Sequence, residues 1–192
     1  MASASPTSAS AGSTVESIGV KNKANVGPGV SLNDHQRLLV ASVLDLFEGR
    51  PTLKHLSLWQ PTATFEDPIA VAQGYDAYAA QWYGLAALFQ TIKIQRHQVT
   101  SGGNPLELSL SNNYVVKGIN KEQLIDSVVR IHVAPDGRIE KVEDRWNDEL
   151  PEGAVSQALR KLNGSVMSKL VKVPKTDDED KKMQAERHVK TT

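Results

Sequence analysis

Two aspartates stand near the ends of strand-like runs, and their carboxylates are the groups in this chain best suited to moving protons. Asp67 lies in ATFEDPIA, directly before Pro68, and Asp144 lies in VEDRW near the end of the last predicted strand. A carboxylate removed from water can have its pKa raised enough to act as an acid or base near neutrality. Each aspartate could instead have a purely structural role. Asp67 is placed to cap a turn, and an inward Asp144 needs either a wet cavity or a hydrogen-bonding partner.

Aromatic side chains are predicted to surround these acids. After Gly74, large side chains recur at steps of three and four along a predicted helix, and LELSLSNNYVV places Tyr114 on the same strand face as three leucines. The hydroxyl of Tyr114 is therefore the candidate hydrogen-bond donor. The predicted substrate-binding residues are Tyr78, Trp82, Tyr114, Trp146 and Phe65. An aromatic stripe on a helix is nevertheless more often part of a core than of a ligand site.

The order of the patterns predicts an α+β domain. Ser31 is predicted to cap a first helix that ends at Gly49, and Pro51 begins a second short helix that carries Trp59. TATFED then reads as a short strand. Beyond the aromatic helix the period changes to two, which predicts the strands TIKIQRHQV, LELSLSNNYVV, LIDSVVRIHV and RIEKVEDRW. A last helix runs from Pro151 to about Gly164 and carries Val155, Ala158, Leu159 and Leu162. This order predicts helices on the concave face of a curved antiparallel sheet.

The two ends of the chain differ from its centre in composition. Residues 1–30 are rich in Ser, Ala and Gly and are predicted to be disordered, residues 31–173 form one domain, and residues 174–192 form a charged tail. The Ser content of the first segment resembles an organelle transit peptide, but the segment has no Arg and carries Glu16. A cytoplasmic location is expected.

Charge and composition argue against several functional classes. The 22 basic and 22 acidic side chains cancel, which disfavours a nucleic-acid partner, and no apolar run is long enough for a membrane span. There is no cysteine, and His97 and His132 lack metal-ligand spacing, so neither a metal nor another cofactor is expected. Phosphate-binding glycine loops and the Gly-x-Ser-x-Gly elbow are also missing from the sequence.

The element order, together with LWQPTATFEDPIA and GRIEKVEDRWND, resembles the nuclear transport factor 2-like superfamily over about residues 32–150. That superfamily includes SnoaL-like polyketide cyclases, ketosteroid isomerases and limonene-epoxide hydrolases. The resemblance implies a cone-shaped, cystatin-like roll with a pocket at its open end. It is more specific for fold than for activity, because this scaffold hosts enzymes, ligand binders and interaction modules.

The resemblance also implies roles for the two aspartates. FEDP is similar to the segment that holds the proton-shuttling aspartate of ketosteroid isomerases, which would be Asp67 here, but the positions of the two oxyanion donors fall near Val43 and Val129. VEDRW is similar to the segment with the water-activating aspartate of limonene-epoxide hydrolases, which would be Asp144. The partner positions there fall near Ser127 and Val129. Because neither set of partners is complete, neither of these two reactions is expected.

Two hypotheses follow. In the first, the chain is a SnoaL-like pocket protein, an isomerase, cyclase or dehydratase for a hydrophobic carbonyl compound. Asp67 or Asp144 would move the proton, and Tyr114 or Tyr78 would orient the oxygen. In the second, the chain is a non-catalytic ligand carrier or dimeric interaction module. The predicted homodimer would use the outer sheet face, which carries Asp126, Val128, Arg130 and His132.

Overall fold

A computed structural model of the chain describes residues 13–118, 121–147, 153–161 and 171–189. The helices are α1 (Val15–Ile18), α2 (Asp34–Phe47), α3 (Leu53–Leu56), α4 (Tyr75–Leu88), α5 (Gly153–Lys161) and α6 (Asp177–Val189). The strands are β1 (Trp59–Asp67), β2 (Ala70–Gln73), β3 (Phe89–Ser101), β4 (Leu106–Val116), β5 (Glu122–Val133) and β6 (Ile139–Trp146). Three residues used to delimit the last predicted helix, Pro151, Leu162 and Gly164, lie outside the described residues.

The strands form one curved, unclosed sheet in the order β2-β1-β6-β5-β4-β3. This architecture confirms the predicted α+β class. All neighbouring strands are antiparallel except β1 and β6, which run parallel. Strand β2 was not predicted, because its four residues are too few for a readable alternation. Three register shifts along β3 mark bulges, which bend a strand and increase its twist.

Two helix boundaries differ from the prediction because side-chain caps decide them. Helix α2 is capped by Asn33 and not by Ser31: the Asn33 side chain accepts from Gln36 N, and the Gln36 side chain accepts from Asn33 N. Helix α3 is capped by Thr52 and ends after one turn. Trp59 therefore begins β1 instead of extending the second helix.

The core lies where α2 and α4 pack on the concave face of the sheet. The Trp59 ring stacks on Tyr78 with the centroids 5.1 Å apart, and the Trp82 ring lies 4.6 Å from Phe65 and 5.3 Å from Phe47. None of these five side chains is more than 3% exposed. Burial of each such side chain contributes roughly 1.5–3 kcal/mol before the entropy cost of folding, which makes this cluster the main anchor of the helices.

Described residues on both flanks of the predicted domain contact it. Along the free edge of β3, Gly27 N donates to Val99 O (2.9 Å) and Val99 N donates to Asn25 O (2.8 Å). This pairing covers part of an edge that would otherwise be open. At the other end of the chain, α6 docks through Asp180, whose carboxylate accepts from Leu53 N (2.9 Å). The predicted domain boundaries stay a prediction, but these contacts extend beyond residues 31–173 on both sides.

Candidate functional site

Asp67 and Asp144 lie side by side on the concave face of the sheet. In the parallel β1–β6 pair, Phe65 lies opposite Val142 and Glu66 opposite Glu143, so Asp67 and Asp144 are the next residues along the two strands. Adjacent strands lie about 4.8 Å apart. Phe65 and Val142 are both buried, and strand alternation puts the two aspartates on that same face two residues further on. The fold thus brings together two carboxylates that are 77 positions apart in the sequence.

Asp67 caps the turn between β1 and β2, and it also carries a shifted pKa. Its Oδ1 accepts a hydrogen bond from Ile69 N at 2.8 Å, which is the turn-capping role considered for Asp67 from the sequence. Burial raises the pKa of this carboxyl to about 7, the Ile69 amide acts against the shift, and the negative charge of Asp144 adds to it. The turn-capping and acid–base roles are therefore compatible in one residue.

Asp144 is only 6% exposed, which places it inside the fold as alternation along β6 predicts. Its Oδ2 accepts from Trp146 Nε1 at 2.8 Å, whereas its Oδ1 is buried without a hydrogen-bond partner among the described residues. Burial raises the pKa of Asp144 to about 6, against the opposing influence of Ser127 and Trp146. Asp144 thus combines a raised pKa with one acceptor oxygen that no described residue occupies.

Tyr114 and Asn112 form a polar pair on β4, within reach of the electrostatic influence of both acids. Asn112 Nδ2 donates to Phe47 O (2.9 Å) and to the Tyr114 hydroxyl (3.1 Å), and Asn112 Oδ1 is buried without a partner in the described part of the chain. Burial raises the pKa of Tyr114, and the charges of Asp144 and Asp67 raise it further. Tyr114 therefore stays protonated, and within the described ranges its hydroxyl donates no hydrogen bond. It can offer that proton to a ligand oxygen.

The other predicted binding residues lie deeper in the fold. Tyr78 is fully buried, and its hydroxyl donates to Gln60 O at 3.2 Å. Trp82 is 1% exposed, and its Nε1 finds no partner in the residues described. Phe65 packs against Trp82, and the indole N–H of half-buried Trp146 donates a hydrogen bond to Asp144. Roles for these side chains in binding stay predictions.

Asn112 is the residue of this site that the sequence did not reveal. It falls on the face of β4 that also carries Leu108, Leu110 and Tyr114, and an asparagine among buried apolar residues of one strand face is the signal that was available. Position 129, where the resemblance puts an oxyanion donor, carries a fully buried valine directly opposite Asp144. Val43, at the other donor position, is also fully buried.

The outer face of the sheet carries ion pairs within the chain. Arg130 Nε lies 2.9 Å from Glu107, His132 Nε2 lies 2.8 Å from Glu143, and Arg96 lies 3.4 Å from Asp126. His97, predicted on a wet or subunit-covered face, instead lies beneath the N-terminal segment, where Asn25 Nδ2 donates to His97 O at 2.9 Å.

The described segments contain neither a metal-ion cluster nor a membrane-spanning helix. Across those ranges, no group of three or more His, Asp or Glu side chains is arranged to hold a metal ion. None of the helices in the described segments combines the length and the apolar character needed to cross a membrane.

Comparison with solved structures identifies the fold. The chain is similar to a steroid delta-isomerase from Pseudomonas aeruginosa, at 19% identity and a TM-score of 0.50, over 74% of this chain and 95% of that one. It is also similar to an NTF2-like protein from Exiguobacterium sp. 255-15, at 19% identity and a TM-score of 0.48, over 57% and 98%. A protein from Catenulispora acidiphila with a ketosteroid isomerase-like fold matches at 13% identity and a TM-score of 0.47, over 55% and 82%.

The likeness to the steroid delta-isomerase confirms the fold that the sequence resemblance implies. At 19% identity it establishes the fold and leaves the chemistry to the site itself. No protein-family model matches the chain, and no curated protein matches it.

Proposed function

We propose that this protein binds a hydrophobic carbonyl compound on the concave face of its sheet and moves a proton on it, as an isomerase, cyclase or dehydratase does. The observation that supports this proposal is the pair Asp67 and Asp144 on adjacent strands, with the pKa values raised to about 7 and about 6. A pair of this kind holds about one proton near neutral pH. One carboxylate can then accept a proton while the other donates one.

Proton transfer next to a carbonyl also requires a hydrogen-bond donor for the carbonyl oxygen, and the polar groups around the aspartate pair can supply it. When a carboxylate removes a proton from the carbon next to a carbonyl, negative charge develops on the carbonyl oxygen and must be stabilised by a donor. Tyr114 is a protonated donor in this region, held by Asn112. Asp144 Oδ1 and Asn112 Oδ1, which have no partner among the described residues, are acceptors for a hydroxyl or for the proton of an enol.

Deuterium exchange tests this function directly. The protein is incubated in D2O with cyclic ketones of increasing size, and NMR follows the loss of the protons next to the carbonyl. We expect exchange faster than in buffer for at least one ketone, and a decrease of about 10² to 10⁴ in Asp144→Asn, the range that acid–base groups usually contribute. Asp67→Asn should lower the rate as well.

Asp126→Asn is the matched control for that experiment. Asp126 lies on the outer face of the sheet, 3.4 Å from Arg96, and this variant should exchange at the wild-type rate. Wild-type exchange that matches buffer for every ketone, or equal rates in wild type and both inner-face variants, would reject proton transfer at this site.

One observation favours a second function, which is ligand carriage without catalysis. Buried valines occupy both positions where the resemblance places oxyanion donors, and loss of one such donor usually costs on the order of 10² to 10³ in rate. In that case a ketone would bind, as seen by saturable quenching of tryptophan fluorescence, without any exchange. A homodimer through the outer face and a cytoplasmic location belong to the same proposal, and sedimentation and cell fractionation test them.

A further inference from the structure

A cavity that does not include the two aspartates opens where the end of α2, the start of β3 and helix α6 meet. Its volume is about 460 Å³, which is within the range of small-molecule sites. Asp67 and Asp144 do not line it. Phe89, whose ring contacts that of Tyr114 with the centroids 5.3 Å apart, stands on its wall. The cavity is therefore a neighbour of the candidate active site and not a part of it.

The carboxylates that line this cavity are already satisfied by the protein. Asp45 is fully buried and accepts from Lys21 N (2.7 Å), Asn22 N (3.1 Å) and the Arg50 guanidinium (2.7 Å). Glu48 accepts from Ile94 N (3.0 Å) and from Asn22 Nδ2 (3.0 Å), and it also pairs with Arg50. Neither acid has a reason to attract a further cation.

The basic side chains at the cavity outnumber the acidic ones. Four lining residues are cationic, namely Lys21, Arg50, Lys117 and Arg187, and two are anionic, so the lining carries an excess of two positive charges. Among the described residues, Arg50 Nε is buried without a hydrogen-bond partner. Lys117 Nζ donates to Ala87 O at 3.1 Å and forms no ion pair with a described carboxylate. Burial lowers the pKa of Arg187, a cost that an anion in the cavity would reduce.

Apolar groups form the rest of the wall. Phe89, Ile92, Ala86 and Pro51 line the cavity beside the basic groups. A ligand with a charged head and an apolar body could therefore satisfy both parts of the wall, whereas a simple inorganic anion would leave the apolar part in contact with water.

We propose that this cavity binds a small organic anion, a molecule with one acidic head group and an apolar body. Its head group lies against Arg50 and Lys117, and its body lies against Phe89 and Ile92. Arg187 of α6 contributes from the opposite side, so bound ligand also holds α6 in place. This site does not depend on proton transfer at Asp67 and Asp144.

Two naphthalene dyes test the charge requirement. 8-Anilinonaphthalene-1-sulfonate carries a sulfonate, and N-phenyl-1-naphthylamine has the same aromatic body without the charge. We expect saturable, one-site fluorescence enhancement with the sulfonate and binding at least about tenfold weaker with the neutral dye.

Two variants locate the site. Arg50→Gln removes the charge and the unpaired donor, and Thr91→Trp fills the cavity from an exposed strand position where a large aromatic residue is well tolerated. Each should weaken binding of the sulfonate at least about tenfold. Because Arg50 also supports Asp45, Thr91→Trp keeps the test decisive if the first variant does not fold.

The controls are matched to these variants. Arg130 is 39% exposed and ion-paired, close to the 37% of Arg50, but it lies on the outer sheet face, so Arg130→Gln should bind the sulfonate as wild type does. Asp144→Asn should also leave this binding unchanged, which separates the present inference from the proposed function. Equal binding of the two dyes, or wild-type affinity in Thr91→Trp, would overturn the inference.

Discussion

Asp45 and Asp144 are both buried aspartates, and the fold treats them in opposite ways. Asp45 is taken out of water, which by itself raises its pKa, but His55, Arg50 and the Lys21 amide outweigh burial and lower the pKa to about 2. Among the described residues Asp144 accepts one hydrogen bond, from Trp146, and burial raises its pKa to about 6. The difference lies in the donors that surround each carboxylate and not in the degree of burial.

This contrast separates an acid that stays ionised from one that can change its protonation near neutral pH. A carboxylate with every oxygen satisfied stays ionised at all physiological pH values and ties segments of the chain together. A carboxylate with a spare oxygen and a like charge on the next strand can change its protonation near pH 7. Asp45 thus joins α2 to the N-terminal segment, whereas Asp67 and Asp144 are the candidates for the proposed proton transfer.

The largest effect is expected from removing the charge of the structural acid. Asp45→Asn replaces one acceptor oxygen with an amide that faces donors, and it leaves the Arg50 charge without its main partner. We expect the free energy of unfolding to fall by about 3–5 kcal/mol, as is typical when a buried ion pair is broken. Urea unfolding followed by tryptophan fluorescence at neutral pH measures it. Asp126→Asn, in an exposed ion pair, should lower the free energy of unfolding by less than about 1 kcal/mol. Equal losses of stability in the two variants would contradict the structural role of Asp45.

The opposite sign is expected for Asp144. Its pKa is raised in the folded state, so its contribution to stability is present below its ordinary pKa of 3.8 and is lost as the pH rises through about 6. Asp144→Asn should therefore match wild type at about pH 4 and be more stable by up to about 2–3 kcal/mol at about pH 8. Urea unfolding at both pH values measures the change. A variant less stable than wild type at the higher pH would show that the Asp144 charge is satisfied.

A smaller effect is expected at a third buried carboxylate, Asp180, which is satisfied like Asp45 but has fewer donors. Tyr83 donates to Asp180 Oδ1 at 2.8 Å, and the second oxygen accepts from Leu53 N. Tyr83→Phe should cost about 1–2 kcal/mol, because it leaves one buried oxygen unpaired. Tyr75→Phe is the control, since within the described residues the Tyr75 hydroxyl makes no hydrogen bond. Thermal unfolding measures the stability of both variants. An equal loss of stability in Tyr83→Phe and Tyr75→Phe would contradict the expectation that the hydrogen bond to Asp180 stabilises the fold.

Sequence reasoning predicted the fold from periodicity, and its misses have physical causes. The change of period from helix to strand places α4 and β3 to β6 correctly, because each is long enough to show its pattern. Strand β2 is too short for that, and the cap of α2 depends on which neighbouring side chain reaches Gln36 N. Alternation along β6 also predicts the inward orientation of Asp144.

The local surroundings of the site were harder to predict than its acids. The neighbourhood of Asp67 and Asp144 depends on a parallel pairing of β1 with β6, and no local pattern reports strand order. The sequence pattern also does not show which side chains form hydrogen bonds. Examples are the bond from Asn112 to Tyr114 within β4 and the contacts of Asp45 with residues 21–22.

Carboxyl-carbon NMR titration of the two inner-face aspartates tests the central claim most directly. Signals from ¹³C-labelled aspartate are assigned with Asp67→Asn and Asp144→Asn and followed from acid to mildly basic pH. The structure predicts midpoints near 7 for Asp67 and near 6 for Asp144, with the Asp67 midpoint falling when Asp144 is replaced, because a neighbouring negative charge is removed. Midpoints for both near the ordinary value of 3.8, unchanged by the other substitution, would contradict a shared acid–base site.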